Sequence, residues 1–138
     1  GNLGALSTAD GSLRWSFETG DAVLSSPAHA DGTLYLSSTD GTLYAVDAAS
    51  GDQEWLYPAE NDMFTASPVV DDDAVYIGTD DPCTLACVDR TAGTENWTVE
   101  TTGIAFESPA VGEDIVVATD RKTKGDDPRT RLWAFYGR

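Results

Sequence analysis

The sequence contains few of the residues on which several classes of functional site depend. Its 138 residues include two cysteines, one methionine and one histidine, and only eight lysines and arginines stand against 24 aspartates and glutamates. Phosphate binding needs clustered cations, so the formal charge of −16 argues against a nucleic acid partner. Two cysteines and one histidine also make a poor set of zinc ligands.

Long apolar segments are missing as well. The sequence has no run of about 18 apolar residues that could span a membrane. It also lacks a positively charged segment followed by an apolar segment, which is the pattern of a signal peptide. Apolar residues never recur for long at spacings of three and four, so almost no helix is expected. The first residue, Gly1, indicates a chain that was processed, tagged or cut from something longer.

The residues that are present predict a folded, acidic domain. Hydrophobic residues make up 41% of the chain and aromatic residues 9%, enough for one domain with a packed core. Most acidic residues are aspartates, and the lysines are Lys122 and Lys124. Surfaces rich in aspartate and poor in lysine are typical of proteins from salt-loving organisms, and an ordinary acidic protein is the alternative.

An internal repeat of about 41 residues runs through the sequence. The dipeptide Ser26-Pro27 recurs as Ser67-Pro68 and Ser108-Pro109, each time 41 residues further on. Tryptophans and short apolar segments recur in the same register, namely Trp15, Trp55 and Trp97, and the segments 34–36, 75–77 and 116–118. Independent markers in one register establish the repeat.

Each repeat predicts four short strands joined by turns. In the repeat that begins at Ser25, residues 26–30, 33–38, 42–47 and 53–57 are rich in β-branched and aromatic residues, with Gly, Asp and Ser between them. Four strands in about 41 residues are typical of a β-propeller blade. The fold class is therefore expected to be all-β, with antiparallel four-stranded blades. WD40 markers are absent, and a solenoid of hairpins is the alternative.

The joint between the third and fourth strands carries the most specific pattern: a small residue, an aspartate, a glycine and a tryptophan. Its copies are Ala45, Asp47, Gly51 and Trp55; then Cys87, Asp89, Gly93 and Trp97; and an N-terminal copy with Ser7 for aspartate and Trp15. The pattern is similar to the tryptophan-docking motif of PQQ-like repeats, the repeats of pyrroloquinoline quinone enzymes and related propellers. In this role the indole stacks on a small residue of a neighbouring blade, and the aspartate accepts backbone N–H groups.

Counting strands predicts roughly three and a third blades. A partial blade is expected at residues 1–20, full blades at 21–59 and 60–101, and a blade lacking its last strand at 102–138, with three strands over about 107–136. Closed propellers usually need about four to eight blades. The chain is thus either a fragment of a longer propeller, which a start in mid-blade favours, or it closes by pairing with a second copy.

Resemblance to quinoprotein dehydrogenases would imply pyrroloquinoline quinone held over calcium, with adjacent cysteines and calcium-binding Glu, Asn and Asp residues. Here Cys83 and Cys87 are not adjacent. They are expected about 13 Å apart along one strand, too far for a disulfide, with Cys87 a small buried thiol. No cofactor is therefore expected, and the quinone and calcium belong to the enzymatic alternative alone.

Two polar features fall where a ligand could bind. His29 lies on a predicted first strand, which lines the channel of a propeller, at a position held by valine in the other repeats. A partly buried histidine in a valine position is the plainer interpretation. The run Asp71-Asp72-Asp73 could bind calcium, but a solvated turn is expected in so acidic a chain.

A cationic insertion is a candidate for partner binding. Residues 120–131 replace a tight turn and hold five of the eight cations, next to loops with apolar side chains on the same face. The alternative is a mobile, solvent-exposed loop that binds no partner. The candidate binding residues are His29, Met63, Phe64, Phe106, Arg121, Lys122, Lys124, Arg129 and Arg131.

The expected function is a non-catalytic binding or scaffold module. Its partner is expected to be a protein or a second copy of the chain, paired through open blade edges. The alternatives are a fragment of a quinoprotein dehydrogenase and a sensor propeller attached to a kinase-like protein. Since similar repeats occur in outer-membrane assembly lipoproteins and cell-surface proteins, the resemblance implies an extracytoplasmic or cell-surface location.

Overall fold

A computed structural model describes residues 1–59, 63–80, 83–100, 104–121 and 130–136. All regular secondary structure in these ranges is β-strand. The strands are β1 (Asn2–Leu6), β2 (Leu13–Glu18), β3 (Ala28–Ala30), β4 (Thr33–Ser37), β5 (Thr42–Asp47), β6 (Gln53–Pro58), β7 (Val69–Val70), β8 (Ala74–Gly78), β9 (Thr84–Asp89), β10 (Glu95–Glu100), β11 (Ile104–Phe106), β12 (Ala110–Val111), β13 (Ile115–Arg121) and β14 (Thr130–Tyr136). Within the described ranges, no helix qualifies as a membrane-spanning segment.

The strands form four antiparallel sheets in chain order. The first sheet is the pair β1-β2, the second is β3-β4-β5-β6, and the third is β7-β8-β9-β10. In the fourth sheet β13 is the centre, with β14 on one edge and both β11 and β12 on the other. In the first three sheets, neighbours in sequence are thus neighbours in the sheet, as short turns between antiparallel strands require. The predicted all-β fold of antiparallel blades is confirmed.

The repeat register is preserved in the strand pairing. His29 pairs with Leu34 in the second sheet, and two valines take the same place in the third and fourth sheets, Val70 opposite Val75 and Val111 opposite Val116. Strand β7 contacts both β3 and β12. Strands β3, β7 and β12 therefore lie side by side, and the second, third and fourth sheets extend outward from them as the blades of a propeller do.

The fourth sheet differs from the three strands predicted over about 107–136. A further short strand, β11, precedes β12 and pairs with the far end of β13. Strands β13 and β14 are also longer than expected, because their pairing continues to Arg121 opposite Thr130. The insertion predicted from Asp120 to Arg131 is therefore shorter, since both of these residues belong to the hairpin's strands.

The third sheet is covered on both faces. Every residue of β8 is buried, because alternate side chains enter two different clusters. Val75 and Ile77 pack with Tyr35 and Leu43 of the second sheet. The other face packs against the fourth sheet, in a cluster of Ala74, Tyr76, Cys83, Leu85, Cys87, Val116 and Ala118. Two sheet-to-sheet contacts therefore supply most of the core.

The turns between third and fourth strands are closed by an acceptor side chain. Asp47 Oδ1 accepts the backbone N–H groups of Ala49 at 2.9 Å and Ser50 at 2.7 Å. The hydrogen bond from Ser50 lowers the pKa of Asp47. Asp89 accepts the two equivalent N–H groups in the next repeat. In the first repeat Ser7 replaces the aspartate, and its hydroxyl accepts the backbone N–H of Ala9 at 3.3 Å.

Candidate functional site

Successive sheets meet at three seams, the first seam between sheets one and two, the second between sheets two and three, and the third between sheets three and four. In the first two seams a tryptophan packs directly on a glycine of the next sheet. A Cβ atom at Gly51 would lie 2.7 Å from an indole carbon of Trp15, and one at Gly93 would lie 2.6 Å from Trp55. The glycines have φ of 81° and 67°. Glycine is therefore required both by the close contact and by the backbone.

Both indole N–H groups find acceptors across their seams. Trp15 Nε1–H donates to the carbonyl of Ala48 at 3.1 Å, and Trp55 Nε1–H donates to the carbonyl of Arg90 at 3.0 Å. A buried indole is costly unless its N–H is satisfied, so the hydrogen bond complements the apolar contact. These residues join neighbouring sheets at the seams.

Arg90 crosses the second seam. Its guanidinium donates to the carboxylate of Asp31 at 2.8 Å and to the carbonyl of Asp71 at 3.1 Å. The Arg90 side chain is 19% exposed and that of Asp31 80% exposed. Arg90 also lines the same cleft as Tyr35 and Trp55. The sequence analysis missed this residue because its partner lies 59 positions away and no local pattern marks it.

The third seam contains a cavity beside Trp97, the third tryptophan of the repeat. The rings of Trp97 and Tyr76 lie 6.0 Å apart, and so do those of Trp97 and Phe135. The cavity has a volume of about 250 Å³. It is lined by Asp73, Ala74, Tyr76, Cys87, Asn96, Trp97, Asp114, Ile115, Val116 and Phe135. The rings of Trp97, Tyr76 and Phe135 therefore lie together where the third and fourth sheets meet.

The repeated serines form a hydrogen-bond ladder across the sheets. The backbone N–H of Ser26 donates to the hydroxyl of Ser67 at 3.0 Å, and the N–H of Ser67 donates to the hydroxyl of Ser108 at 2.9 Å. Each bond joins residues 41 positions apart. The Ser-Pro repeat, recognised in the sequence as a register marker, thus ties each sheet to the next near the first strands.

The serine ladder opens onto one end of the sheets, the loop face, formed by residues 19–27, 38–41, 63–68, 79–80 and 107–109. Backbone hydrogen bonds run there from Phe64 to the carbonyl of Ser38, in the turn after β4, and from Glu107 to the carbonyl of Thr119 in β13. A cleft of about 260 Å³ lies on this face. It is lined by Leu24, Ser25, Ser26, Thr65, Ala66, Ser67, Glu107 and Ser108.

A repeated Thr-Asp pair, overlooked in the sequence analysis, follows β4 and β8 and lies within the end of β13. The aspartates are Asp40, Asp80 and Asp120, spaced by 40 residues. Asp40 accepts from the Tyr44 hydroxyl at 2.8 Å and from a backbone N–H. Burial alone would raise the pKa of Asp40, but these hydrogen bonds outweigh it and lower the pKa. Asp80 accepts instead from the hydroxyl of Thr65 at 2.9 Å.

Asp120 is the most buried of these carboxylates. Its side chain is fully buried, and it accepts from Nε and Nη2 of Arg131 at 2.9 and 2.6 Å and from the indole N–H of Trp133 at 2.9 Å. The guanidinium also lies 5.3 Å from the centre of the Trp133 ring. Two-point binding of this kind fixes orientation as well as charge. Within the described residues, the cluster braces the β13–β14 hairpin.

The comparison with protein families agrees with this architecture. A family model described as outer membrane protein assembly factor BamB matches residues 1–79 and again 59–136. The chain belongs to this family of PQQ-like β-propeller repeats. The two overlapping matches cover nearly the whole chain, and they follow the same repeats that the sequence shows.

Relatives of the PQQ-like family include both enzymes and an assembly factor. Lupanine 17-hydroxylase [cytochrome c] of Pseudomonas sp. is 34% identical over 100 residues, which are 62% of this chain and 14% of the enzyme. The structure of BamB from Moraxella catarrhalis aligns with a TM-score of 0.74 at 24% identity, covering 100% of this chain and 42% of BamB. A quinohemoprotein alcohol dehydrogenase from Pseudomonas putida aligns with a TM-score of 0.79 at 20% identity, covering 87% and 25%.

These likenesses are partial in length. The chain spans less than half of BamB and a quarter or less of the two enzymes. At identities below 25%, the two structural likenesses show the fold alone. The activity, substrates and partners of the relatives are therefore not carried over from these alignments.

Within the PQQ-like fold, the predicted apolar binding residues lie in different environments. Met63 is 50% exposed on the loop face. Phe64 is fully buried and packs in the core with Tyr57, at a ring separation of 6.5 Å. The prediction that Phe64 contacts a partner is wrong, because the side chain fills the second seam. Phe106 lies in β11 on the same edge of the fourth sheet as β12.

His29 stands on the innermost strand of its sheet. Its side chain is exposed, whereas Val70 at the equivalent position is half-buried. The interpretation of His29 as a partly buried core residue is therefore wrong.

The predicted cationic residues are divided between strand and loop. Arg121 ends β13, and Arg131 lies in β14 with its guanidinium on Asp120. Arg131 is therefore held by the hairpin, and is not presented by a loop as the sequence predicted. Lys122, Lys124 and Arg129 lie outside the described residues.

The described residues do not fit a quinone held over calcium. Cys83 and Cys87 are buried and form no disulfide, and burial raises the pKa of the Cys87 thiol. Asp71 Oδ1 accepts two backbone N–H groups of its own turn, at 2.8 Å each. Among the described residues, no group of three histidines, cysteines or carboxylates lies close enough together to hold a metal ion.

Proposed function

We propose that the chain is a non-catalytic β-propeller module that binds a protein partner. The observation that carries the proposal is the match to the family of an assembly factor over nearly the whole chain. The polar residues of the repeats support it, because the Ser-Pro serines and the Thr-Asp aspartates are engaged in joining strands and sheets. Their chemistry is used for architecture, as in a scaffold.

The loop face is the proposed contact surface. Met63 and Leu24 are 50% and 69% exposed there, and Leu24 borders the serine-lined cleft. Exposed apolar side chains beside hydroxyl and carbonyl groups are suited to a protein surface, which offers apolar contacts and backbone hydrogen bonds together. Connections at one end of a rigid scaffold are also where binding residues commonly lie.

An extracytoplasmic site of action is part of the same proposal. It rests on the family description, which is that of an outer membrane assembly factor. Fractionation of cells that produce the intact protein tests the location directly. Recovery with the cytoplasmic fraction would contradict this part of the proposal.

Site-specific photo-crosslinking in the native host tests the contact surface. A photoreactive phenylalanine analogue replaces Met63 or Leu24 on the loop face, and Leu56 of β6, which is 46% exposed, serves as the control. A discrete adduct of constant mass from both loop-face positions, absent from the control, is expected. No adduct from either position, or equal labelling at all three, would contradict the proposed surface.

Quinoprotein dehydrogenase activity is the second candidate, because the structural likeness to a quinohemoprotein alcohol dehydrogenase has a TM-score of 0.79. The assay is reduction of an electron-accepting dye by the intact protein, with alcohols as substrates, after addition of pyrroloquinoline quinone and Ca²⁺. Turnover that depends on both additions would replace the binding module as the best description. No turnover is expected, since the described residues offer no calcium-binding set.

Association of two copies is the remaining possibility for the partner. Strand β14 is the outermost described strand of its sheet, and the first sheet contains two strands. Light scattering after size exclusion, in low salt and in molar KCl, measures the molar mass. A sharp dimer or ring would make a second copy the partner, whereas a monomer would favour a different protein.

A further inference from the structure

The cleft of the second seam lies between two sheets that each have four strands. Its volume is about 380 Å³, within the range of roughly 300–1,000 Å³ that is usual for small-molecule pockets. The β3–β4 hairpin and β6 of the second sheet line one side, and the turn after β9 of the third sheet lines the other. Every residue that lines the cleft belongs to the described ranges. These two sheets alone therefore shape it.

The guanidinium of Arg90 lies at this cleft with donors to spare. Among the described residues it donates to Asp31 Oδ2 at 2.8 Å and to the carbonyl of Asp71 at 3.1 Å, whereas a guanidinium has five N–H donors. The two hydrogen bonds fix its position, and the side chain is still 19% exposed. The planar guanidinium matches a carboxylate in two-point geometry. Arg90 is therefore placed to donate to a carboxylate that a ligand brings.

Two carboxylates supply the opposite charge around the same cleft. Glu54 lies on β6, and its Oε2 accepts from the hydroxyl of Thr33 at 2.9 Å, which leaves lone pairs for further donors. The side chain of Asp31 is 80% exposed, so water weakens its ion pair with Arg90 and a second donor can reach it. An ammonium group in the cleft therefore meets two carboxylates beside the guanidinium.

We propose that the second-seam cleft binds a free α-amino acid with an apolar side chain. Its carboxylate accepts from Arg90, its ammonium donates to Glu54 and Asp31, and its side chain lies against Trp55, whose ring is 5.7 Å from that of Tyr35. A simple anion is repelled by the carboxylates and a simple cation by the guanidinium, so a ligand that carries both charges fits best.

This site goes beyond the proposed binding of a protein partner. It is built from the β3–β4 hairpin and the turn after β9, at the end of the sheets opposite the loop face. The loop-face crosslinks therefore do not depend on it, and failure of either experiment leaves the other unaffected.

A titration of the intact chain with leucine, followed through the indole N–H signals in NMR spectra, tests the proposal. The signal of Trp55 is expected to shift, because its N–H donates to the backbone carbonyl of Arg90 at 3.0 Å. Trp15 is the internal reference, since it makes the equivalent hydrogen bond in the first seam to Ala48, which carries no charge. A dissociation constant of about a millimolar is expected for so small a ligand.

Two analogues of leucine each remove one of its charges. N-acetylleucine keeps the carboxylate without the ammonium, and leucinamide keeps the ammonium without the carboxylate. Each is expected to bind about tenfold more weakly than leucine, or weaker still. Absence of a Trp55 shift with leucine would overturn the proposal, and so would equal binding of leucine and either analogue.

The first pair of variants tests the carboxylate contact. Arg90→Gln is expected to weaken leucine binding about tenfold or more. Arg14→Gln removes a cation from the exposed strand β2 and is expected to leave binding unchanged. Equal effects of the two variants would overturn the assignment of Arg90.

The second pair tests the ammonium contact and does not alter Arg90. Glu54→Gln keeps the size of the side chain and an acceptor for Thr33, and it is expected to weaken leucine about fivefold without weakening N-acetylleucine. Glu18→Gln, at the exposed end of β2, is expected to change neither ligand. A structural defect would weaken both ligands, so equal weakening of leucine and N-acetylleucine by Glu54→Gln would overturn the proposal.

Discussion

The second and third seams use the same tryptophan position in two ways. Trp55 lies on Gly93, donates to the carbonyl of Arg90 and is bordered by the Arg90 guanidinium. Trp97 lies between Tyr76 and Phe135 and borders a cavity of about 250 Å³. In both seams the repeat therefore places an indole against the next sheet, on Gly93 in the second seam and beside Phe135 in the third.

The fourth sheet holds a buried ion pair within one hairpin. Asp120 binds Arg131 and Trp133 inside the β13–β14 hairpin. In the second sheet the equivalent Asp40 is hydrogen-bonded to Tyr44 and to the backbone of the first sheet at Gly20. One repeated aspartate thus joins two sheets in one place and braces a single hairpin in another. The predictions below test this contrast.

Replacing Arg131 with methionine is expected to have the largest effect. The variant removes two hydrogen bonds to a fully buried carboxylate while keeping a long apolar side chain. Breaking a buried ion pair from one side costs about 3 kcal/mol of unfolding free energy. Urea denaturation at neutral pH measures the loss, with Arg14→Met on exposed β2 as the control. Equal stability of the two variants would show that the Asp120 cluster does not brace the hairpin.

The second prediction concerns the glycines under the tryptophans. Gly93→Ala places a Cβ 2.6 Å from the Trp55 indole at φ 67°, and it is expected to cost about 2–3 kcal/mol. Gly11→Ala is the matched control, because Gly11 holds the same place in the first repeat, at φ 73° with nothing within 4 Å. It is expected to cost about 1 kcal/mol, the backbone part alone. Equal losses in urea denaturation would exclude the indole contact as the cause.

The third prediction concerns access to the third seam. Burial raises the pKa of Cys87, so the reactive thiolate is scarce, and the cavity side chains cover the sulfur. With Cys83→Ala as background, labelling by a disulfide reagent is expected to be about tenfold or more slower than in the unfolded chain. Trp97→Ala is expected to speed the labelling of Cys87, and Trp15→Ala in the first seam is not. The opposite order would contradict the placement of Cys87 beside Trp97.

The smallest effect is expected from Asp47, which closes an exposed turn. Its pKa is lowered from 3.8, so its contribution to stability is present above pH 3.8 and is lost as pH falls through the lower pKa of the folded state. Asp47→Ser copies the first repeat, where Ser7 holds this place. The variant is expected to flatten the acid side of the stability profile slightly. An unchanged profile between pH 2 and 4, about the range of a depressed carboxyl, would contradict the assignment.

Much of the fold was predictable from local patterns. The Ser-Pro and tryptophan registers predicted the repeat, and alternation with Asp-Gly turns predicted the strands of the second and third sheets. The fourth sheet was predicted less well, because the length of a hairpin depends on side chains that meet across it. Asp120 and Arg131 read as parts of a loop in sequence, yet their ion pair prolongs the strands.

The candidate site was predictable only in part. Phe64 read as a loop side chain for a partner, but it fills the second seam. The hydrogen bond from Arg90 to Asp31 joins two sheets and residues 59 positions apart in sequence. The surroundings of Trp97 depend on Phe135, which the fourth sheet places beside it. Contacts of this kind join residues distant in sequence, and one sequence read alone does not reveal them.

The sequence by itself determined the all-β class, the repeat of about 41 residues and the residues that close each turn, because these depend on alternation and turn chemistry over a few positions. Only the tertiary structure decided which carbonyls accept from the indoles of Trp15 and Trp55 and which aspartate is buried with an arginine. Those outcomes depend on the volume and charge that neighbouring sheets bring into contact, and that information is spread over the whole chain.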